Sequence, residues 1–167
     1  MMIYAAFARR MTAALSLSLI STAAFAGGYG GGCCAHSAMA PREAQAILAY
    51  ADDYSDGSFR VRHTEGAGST ATTDAYGETG YGYGSSDTQI ESGSGATSWK
   101  RSVQRSSGYA ENDAANATGF SASFVKVRSG DGKYYIFKGY ANTSASVGPG
   151  GSSTSSNGLA KSKAGRY

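Results

Sequence analysis

The residues of this sequence that could carry chemistry are few, and the densest group is Cys33-Cys34-Ala35-His36. Thiolate and imidazole groups are ligands that zinc and copper prefer. The spacing matches no standard metal motif, and adjacent cysteines reach normal disulfide geometry only with strain. We therefore predict no metal site and no cofactor. The sequence leaves two interpretations of Cys33 and Cys34, an inert segment or a thiol handle for intermolecular oxidation.

A second candidate is His63-Thr64-Glu65, which places a base beside a carboxylate. The chain has only one other histidine, and its serines lie mostly in low-complexity segments, so spacing does not support a serine–histidine–carboxylate site. The glycines that follow at 66 and 68 have a dinucleotide-binding spacing, but no helix pattern comes after them. We expect His63 to be a half-exposed strand residue, and we expect the protein not to be an enzyme.

Aromatic residues form a third group, and they indicate an interaction surface. Between residues 76 and 84, tyrosines are placed among glycines. Aromatic rings can stack on flat apolar faces such as those of sugars. Ordinary strand and loop tyrosines are the alternative interpretation. The predicted surface comprises Tyr76, Tyr81, Tyr83, Trp99, Tyr134, Tyr135 and Tyr140.

Residues 1–26 have the pattern of a signal peptide. Arg9 and Arg10 precede an apolar run over 11–25, and Ala24-Phe25-Ala26 offers small residues for cleavage. We therefore expect a secreted protein, either extracellular or on the cell surface, with the periplasm as an alternative. No membrane span is expected after cleavage. Residues 27–40 are predicted to be a flexible, glycine-rich leader.

The rest of the chain predicts a mainly β fold, a small antiparallel sheet or sandwich-like domain over 41–147. One short helix is predicted over 41–54, because apolar residues follow Pro41 at helical spacing. The strongest strand signal is a hairpin over 118–141, turning at Ser129-Gly130-Asp131-Gly132. Phe124 and Val125 break its alternation, as a bulge would. Residues 148–167 are predicted to be a disordered basic tail, rich in glycine and serine.

Composition and charge together suggest a structural protein that associates with a partner. Beyond residue 26, only 14 of 141 residues are Leu, Ile, Val or Phe, which leaves little apolar area for a core. Residues 27–94 carry a net charge of −6, and residues 95–167 carry +7. We expect a surface or fibre subunit that assembles with itself or with another surface or export protein. A monomeric binding module for a glycan or a protein is the alternative, a small secreted enzyme is a third hypothesis, and no nucleic-acid partner is expected.

Overall fold

The computed structural model describes residues 10–19, 41–74 and 76–167, and of residues 10–19 it describes the backbone alone. The mainly β fold predicted from the sequence is confirmed, since strands make up most of these residues. In this described part, no helix is long and apolar enough to cross a membrane. The strands are β1 (Arg10–Leu19), β2 (Arg42–Ser55), β3 (Phe59–Asp74), β4 (Gly77–Ser92), β5 (Thr97–Glu111), β6 (Ala114–Arg128), β7 (Lys133–Gly148) and β8 (Gly151–Arg166).

The strands form two antiparallel sheets, each with its strands in chain order. Sheet A contains β1 to β4, and sheet B contains β5 to β8. The sheets lie face to face, so that β3 packs against β6 and β7 while β2 packs against β7 and β8. The chain passes from one sheet to the other at residues 93–96, which is also where its charge changes sign. The acidic and basic halves of the sequence are therefore the two sheets.

The predicted hairpin is confirmed as strands β6 and β7. The amide of Ser129 donates to the carbonyl oxygen of Lys133 at 2.9 Å, and Gly132 closes the turn with a φ of 84°. Glycine adopts this left-handed conformation without the steric cost that a side chain imposes. The pairing runs without interruption past Phe124 and Val125, so the bulge predicted there is wrong.

The segment predicted to be a helix is strand β2, so that prediction is wrong. Ala44, Ala46 and Leu48 point between the sheets and are buried, while the residues between them are more exposed. The whole strand pairs with β3. Alanine and leucine at these positions fit a period of two as well as a period of 3.6, and pairing with β3 favours the former.

The tail predicted to be disordered is strand β8, which extends the domain past residue 147. It pairs with β7 over sixteen positions, from Lys133↔Arg166 to Gly148↔Gly151. Main-chain hydrogen bonds hold it there, and serine hydroxyls add cross-strand contacts such as that between Ser144 and Ser155, at 2.8 Å. An edge strand that needs only the backbone of one neighbour can form without an apolar pattern.

The core between the sheets is uneven. One end holds the large side chains, and the remainder is built mainly from alanine. The large cluster contains Phe59, Val61, Val125, Val127, Tyr135 and Phe137. The two smaller clusters contain Ala44, Ala71, Ala115, Ala145 and Val147, and Leu48, Ala67 and Ala141. Alanine buries little apolar area, so much of this core contributes little to stability.

Glycines let the two sheets touch along the side where β4 lies over β5 and β6. Gly80, Gly82 and Gly84 point inward, whereas the tyrosines between them point outward. A Cβ atom at Gly82 would collide with the carbonyl oxygen of Thr118, and one at Gly84 with that of Phe120. Over residues 80–84 the inner face of β4 therefore carries no side chains, and the backbones of the two sheets lie in contact there.

Candidate functional surfaces

A buried polar cluster joins the two sheets at His63 and Glu65. The exposed fractions of these residues are 1% and 2%. Ser121 and Ser123 of β6 donate to the two carboxylate oxygens of Glu65, at 3.0 and 2.9 Å. Nδ1 of His63 lies 2.8 Å from Thr88 Oγ1, and its Nε2 lies 2.9 Å from Ser123 Oγ. The cluster therefore connects β3 and β4 of sheet A to β6 of sheet B.

The directions of these hydrogen bonds differ from those of a nucleophilic serine. The hydroxyl of Ser123 has one proton and contacts both Glu65 Oε2, which can only accept, and Nε2 of His63. Donation to Glu65 leaves Nε2–H of His63 as the donor to Ser123, so this arrangement corresponds to the tautomer protonated at Nε2. A catalytic histidine would instead accept the serine proton. The cluster is also buried, so a substrate would reach it only if the sheets opened. It acts as a structural bridge, and the prediction that His63 is half-exposed is corrected.

Three of the predicted surface aromatics lie on the side of sheet A. Tyr76 is in the turn before β4 and is almost fully exposed. Tyr81 and Tyr83 point outward from β4, with ring centroids 6.3 Å apart. The ring of Tyr83 lies over Gly68 of β3, where a side chain would leave it no room. The rings of Tyr81 and Tyr83 form a small aromatic patch on the outer face of sheet A.

Three other predicted aromatics, Trp99, Tyr134 and Tyr140, lie on the outer face of sheet B. Trp99 packs edge-to-face with Phe124, at a centroid distance of 5.2 Å, and Tyr134 packs against Tyr167 at 4.8 Å. Tyr140 is partly exposed on β7. This face is on the opposite side of the sandwich from Tyr81, so the predicted residues do not form one surface.

Tyr135 is a core residue, and its prediction as a surface residue is wrong. It is 1% exposed, its hydroxyl donates to Asp52 Oδ2 at 2.7 Å, and its ring stacks on Tyr54 at 5.2 Å. Successive residues of a strand point to opposite faces, so Tyr134 and Tyr135 could not both lie outside.

The outer face of sheet B carries a patch of positive charge, and the residues that form it were not predicted from the sequence. Seven basic side chains from all four strands share this face, according to the strand register. Among the described residues, none of the seven forms a salt bridge. We call this set the basic face; it consists of Arg101, Arg105, Lys126, Arg128, Lys138, Lys161 and Lys163.

Aromatic and aliphatic side chains separate these cations. One cross-strand row consists of Arg101, Phe124, Lys138 and Lys161, and the adjacent row of Trp99, Lys126, Ile136 and Lys163. Arg128 lies 4.5 Å from the centroid of the Tyr167 ring. Among the described residues, the one carboxylate on the outer face of β5 to β8 is Glu111, at the far end of β5, where it accepts a hydrogen bond from Tyr109.

The outer face of sheet A has the opposite charge. Its carboxylates are Glu43, Asp53, Asp74, Asp87 and Glu91. Arg60 and Arg62 also point outward, and both contact Asp53, at 2.7 and 3.6 Å. The hydrogen bond from Arg60 lowers the pKa of Asp53 below its usual value. Among the side chains that the structure describes, the charge left unpaired on this face is negative.

Two edge strands, β4 and β8, also differ in charge. Each is 16 residues long, and each is the last strand of its sheet. Strand β4 carries Glu78, Asp87 and Glu91 with no basic residue, and β8 carries Lys161, Lys163 and Arg166 with no acidic residue. β4 lies over β5 and β6, and β8 lies beneath β2, so the two edges are on opposite sides of the sandwich. The other edge of sheet B, β5, is exposed at every position.

A cavity of about 410 Å³ lies between β2 and the adjoining ends of β7 and β8. Its lining includes Asp52, Tyr54, Asp56 and Lys133. Asp52 accepts a hydrogen bond from Tyr135, and Asp56 accepts bonds from the amides of residues 58 and 59. Both carboxylates therefore accept hydrogen bonds from within the protein, and the cavity supplies no argument for a bound ligand.

Cys33 and Cys34 lie outside the described residues, so the thiol-handle prediction stays a prediction. Within the described part of the chain, no three His, Cys, Asp or Glu side chains are grouped so as to hold a metal ion.

The comparisons with known proteins give no relative from which a function could be transferred. No family model, no curated protein and no solved structure matches this chain. Arguments about function therefore rest on the surfaces described above.

Proposed function

We propose that this protein is a secreted or cell-surface structural subunit that assembles side to side with copies of itself. The observation that carries the proposal is the opposite charge of its edge strands β4 and β8. An edge strand offers unpaired main-chain N–H and C=O groups, so another strand can add to it. Addition of β8 of one copy to β4 of the next would join a strand whose charged residues are all basic to a strand whose charged residues are all acidic.

The charge pattern also opposes the unwanted pairings. Lysines on an edge normally keep copies of a protein apart, because two such edges repel each other. Here β8 would repel β8 and β4 would repel β4, while unlike edges attract. Because the two edges are on opposite sides of the sandwich, their contact is heterologous, and it propagates into a filament when the rotation does not close a ring. The alanine-rich core adds a reason to assemble, since neighbouring copies would bury further surface.

Export gives the proposal a second test. We predict cleavage after Ala26, because the residues before it have the pattern of a signal peptide. N-terminal sequencing of the exported protein should then begin at Gly27. Cleavage would remove β1, which pairs with β2, and would leave β2 as an edge of sheet A. Exported protein that retains Met1 would contradict this part of the proposal.

The assembly is tested by reversing charges on the edges. We expect the purified protein to form oligomers at micromolar concentrations and these to dissociate as salt rises, because screening shortens the range of the attraction to about 3 Å at 1 M salt. Replacing Lys161 and Lys163 with Glu should weaken association at least about tenfold, since like charges would then face each other. Adding Asp87→Lys and Glu91→Lys to that variant should restore association. Sedimentation velocity measures the association of the original protein, of the Lys161/Lys163 variant and of the variant with all four substitutions.

The matched control is Lys126→Glu with Lys138→Glu, which makes the same change in charge on the two central strands of sheet B. This variant should associate like the original protein. A compact monomer at every concentration, or equal weakening in the edge and control variants, would contradict assembly through β4 and β8.

A further inference from the structure

We infer that the basic face of sheet B binds a linear polysaccharide that carries carboxylate or sulfate groups. This inference does not rest on the strand-edge assembly, because it needs only an accessible outer face. Lys161 and Lys163 belong to both surfaces, so the inference is tested at Lys126 and Lys138, which lie on the two central strands. Its first support is that the seven cations have no salt-bridge partner among the described residues. Such charges remain available to an external anion.

The arrangement of the cations favours a polymer over a small ion. Neighbouring strands are about 5 Å apart, and successive side chains on one face are about 7 Å apart. The row of Arg101, Lys138 and Lys161 crosses the sheet, and the adjacent row adds Lys126 and Lys163. One chain lying across these rows would contact several cations at once. Binding of a polyanion strengthens with each charge that is neutralised, because counterions are released.

The other side chains of this face favour a sugar polymer over a nucleic acid. Beyond the cations the outer face continues in hydroxyl groups, with Ser107 paired to Thr118 at 2.6 Å and Ser144 to Ser155 at 2.8 Å. Hydroxyls of this kind can donate to and accept from sugar hydroxyls. Phe120 and Phe124 are partly covered, and the exposed rings of Trp99, Tyr109 and Tyr140 lie in three different cross-strand rows. The face therefore lacks a continuous row of open rings on which successive bases stack.

The experiment uses three polymers with one backbone, namely dextran, carboxymethyl dextran and dextran sulfate. Trp99 is the only tryptophan and lies on the basic face, so its fluorescence reports binding at that place. We expect both charged polymers to change the emission in a saturable way that weakens with salt, and dextran to have no effect. Replacing Lys126 and Lys138 with Gln should weaken binding about tenfold, because two of the neutralised charges are lost.

The control variant, Arg60→Gln with Arg62→Gln, removes the same charge from the outer face of sheet A and should bind like the original protein. An oligothymidine strand is the competing probe. Equal losses in the two variants, binding of dextran as tight as that of the charged polymers, or no binding at all would overturn the inference. Tighter binding of oligothymidine than of both charged dextrans would assign the face to nucleic acid and would also overturn it. Sedimentation of the Lys126/Lys138 variant shows separately whether edge assembly is intact.

Discussion

Replacing Gly82 with alanine should destabilise the protein by about 3 kcal/mol and lower its melting temperature by roughly 10 °C. The added methyl group would collide with the main-chain carbonyl of Thr118, and backbone moves aside less easily than a flexible side chain. The two sheets would have to separate along the side where β4 meets β6. Thermal unfolding followed by circular dichroism measures the change.

Gly150 supplies the control for this substitution. A Cβ atom there has no neighbour within 4 Å, and the residue lies in the turn before β8. Gly150→Ala should change stability by no more than about 0.5 kcal/mol. Equal melting temperatures for the Gly82 and Gly150 variants would show that the sheets are not in backbone contact at β4.

Replacing Glu65 with alanine should cost about 3 kcal/mol of unfolding free energy, because the hydroxyls of Ser121 and Ser123 would stay buried without their carboxylate acceptor. Glu65→Gln keeps the shape and one acceptor oxygen, so its cost should be smaller, about 1 kcal/mol. Urea unfolding measures both variants, and an unchanged m-value would indicate that the two-state transition is preserved.

Glu43 is the matched carboxylate on the solvent side of sheet A, where it is exposed. Its replacement with alanine should change the unfolding free energy by no more than about 0.5 kcal/mol. If Glu65→Ala were as mild as Glu43→Ala, the buried cluster would not hold the two sheets together.

Part of the surface could be predicted from residue types alone. The sequence indicated that Trp99, Tyr134 and Tyr140 were surface residues, and these lie on one face. It also showed the change in charge near residue 94. The charge asymmetry left a basic face as one interpretation, but the residues that form it could not be predicted, because they come from four strands. Only the strand register places Arg101, Lys138 and Lys161 in one row. A signal was present, since Arg101 and Arg105 share one face of β5 and Lys161 and Lys163 share one face of β8. Alternation within a strand, however, does not reveal which neighbouring strand continues the row.

The amino-acid sequence by itself determined the features that depend on local conformation and net charge. The sequence placed His63 on a strand, and the turn at Ser129–Gly132 placed the β6–β7 hairpin, because glycine tolerates the backbone angles of that turn. The separation of acidic and basic residues along the chain also determined that one sheet is mainly acidic and the other mainly basic.

The tertiary structure determined the features that depend on pairing with, or packing against, a distant segment of the chain. Residues 42–55 became a strand because β3 was available to pair with, and an alanine-rich pattern fits either period. Strand β8 formed from glycine and serine because the backbone of β7 supplied its hydrogen bonds. His63 and Tyr135 turned inward because their strands align with residues across the core, and Gly82 faces a carbonyl on another sheet. Such outcomes depend on contacts between residues distant in the chain, and local periodicity carries no information about those contacts.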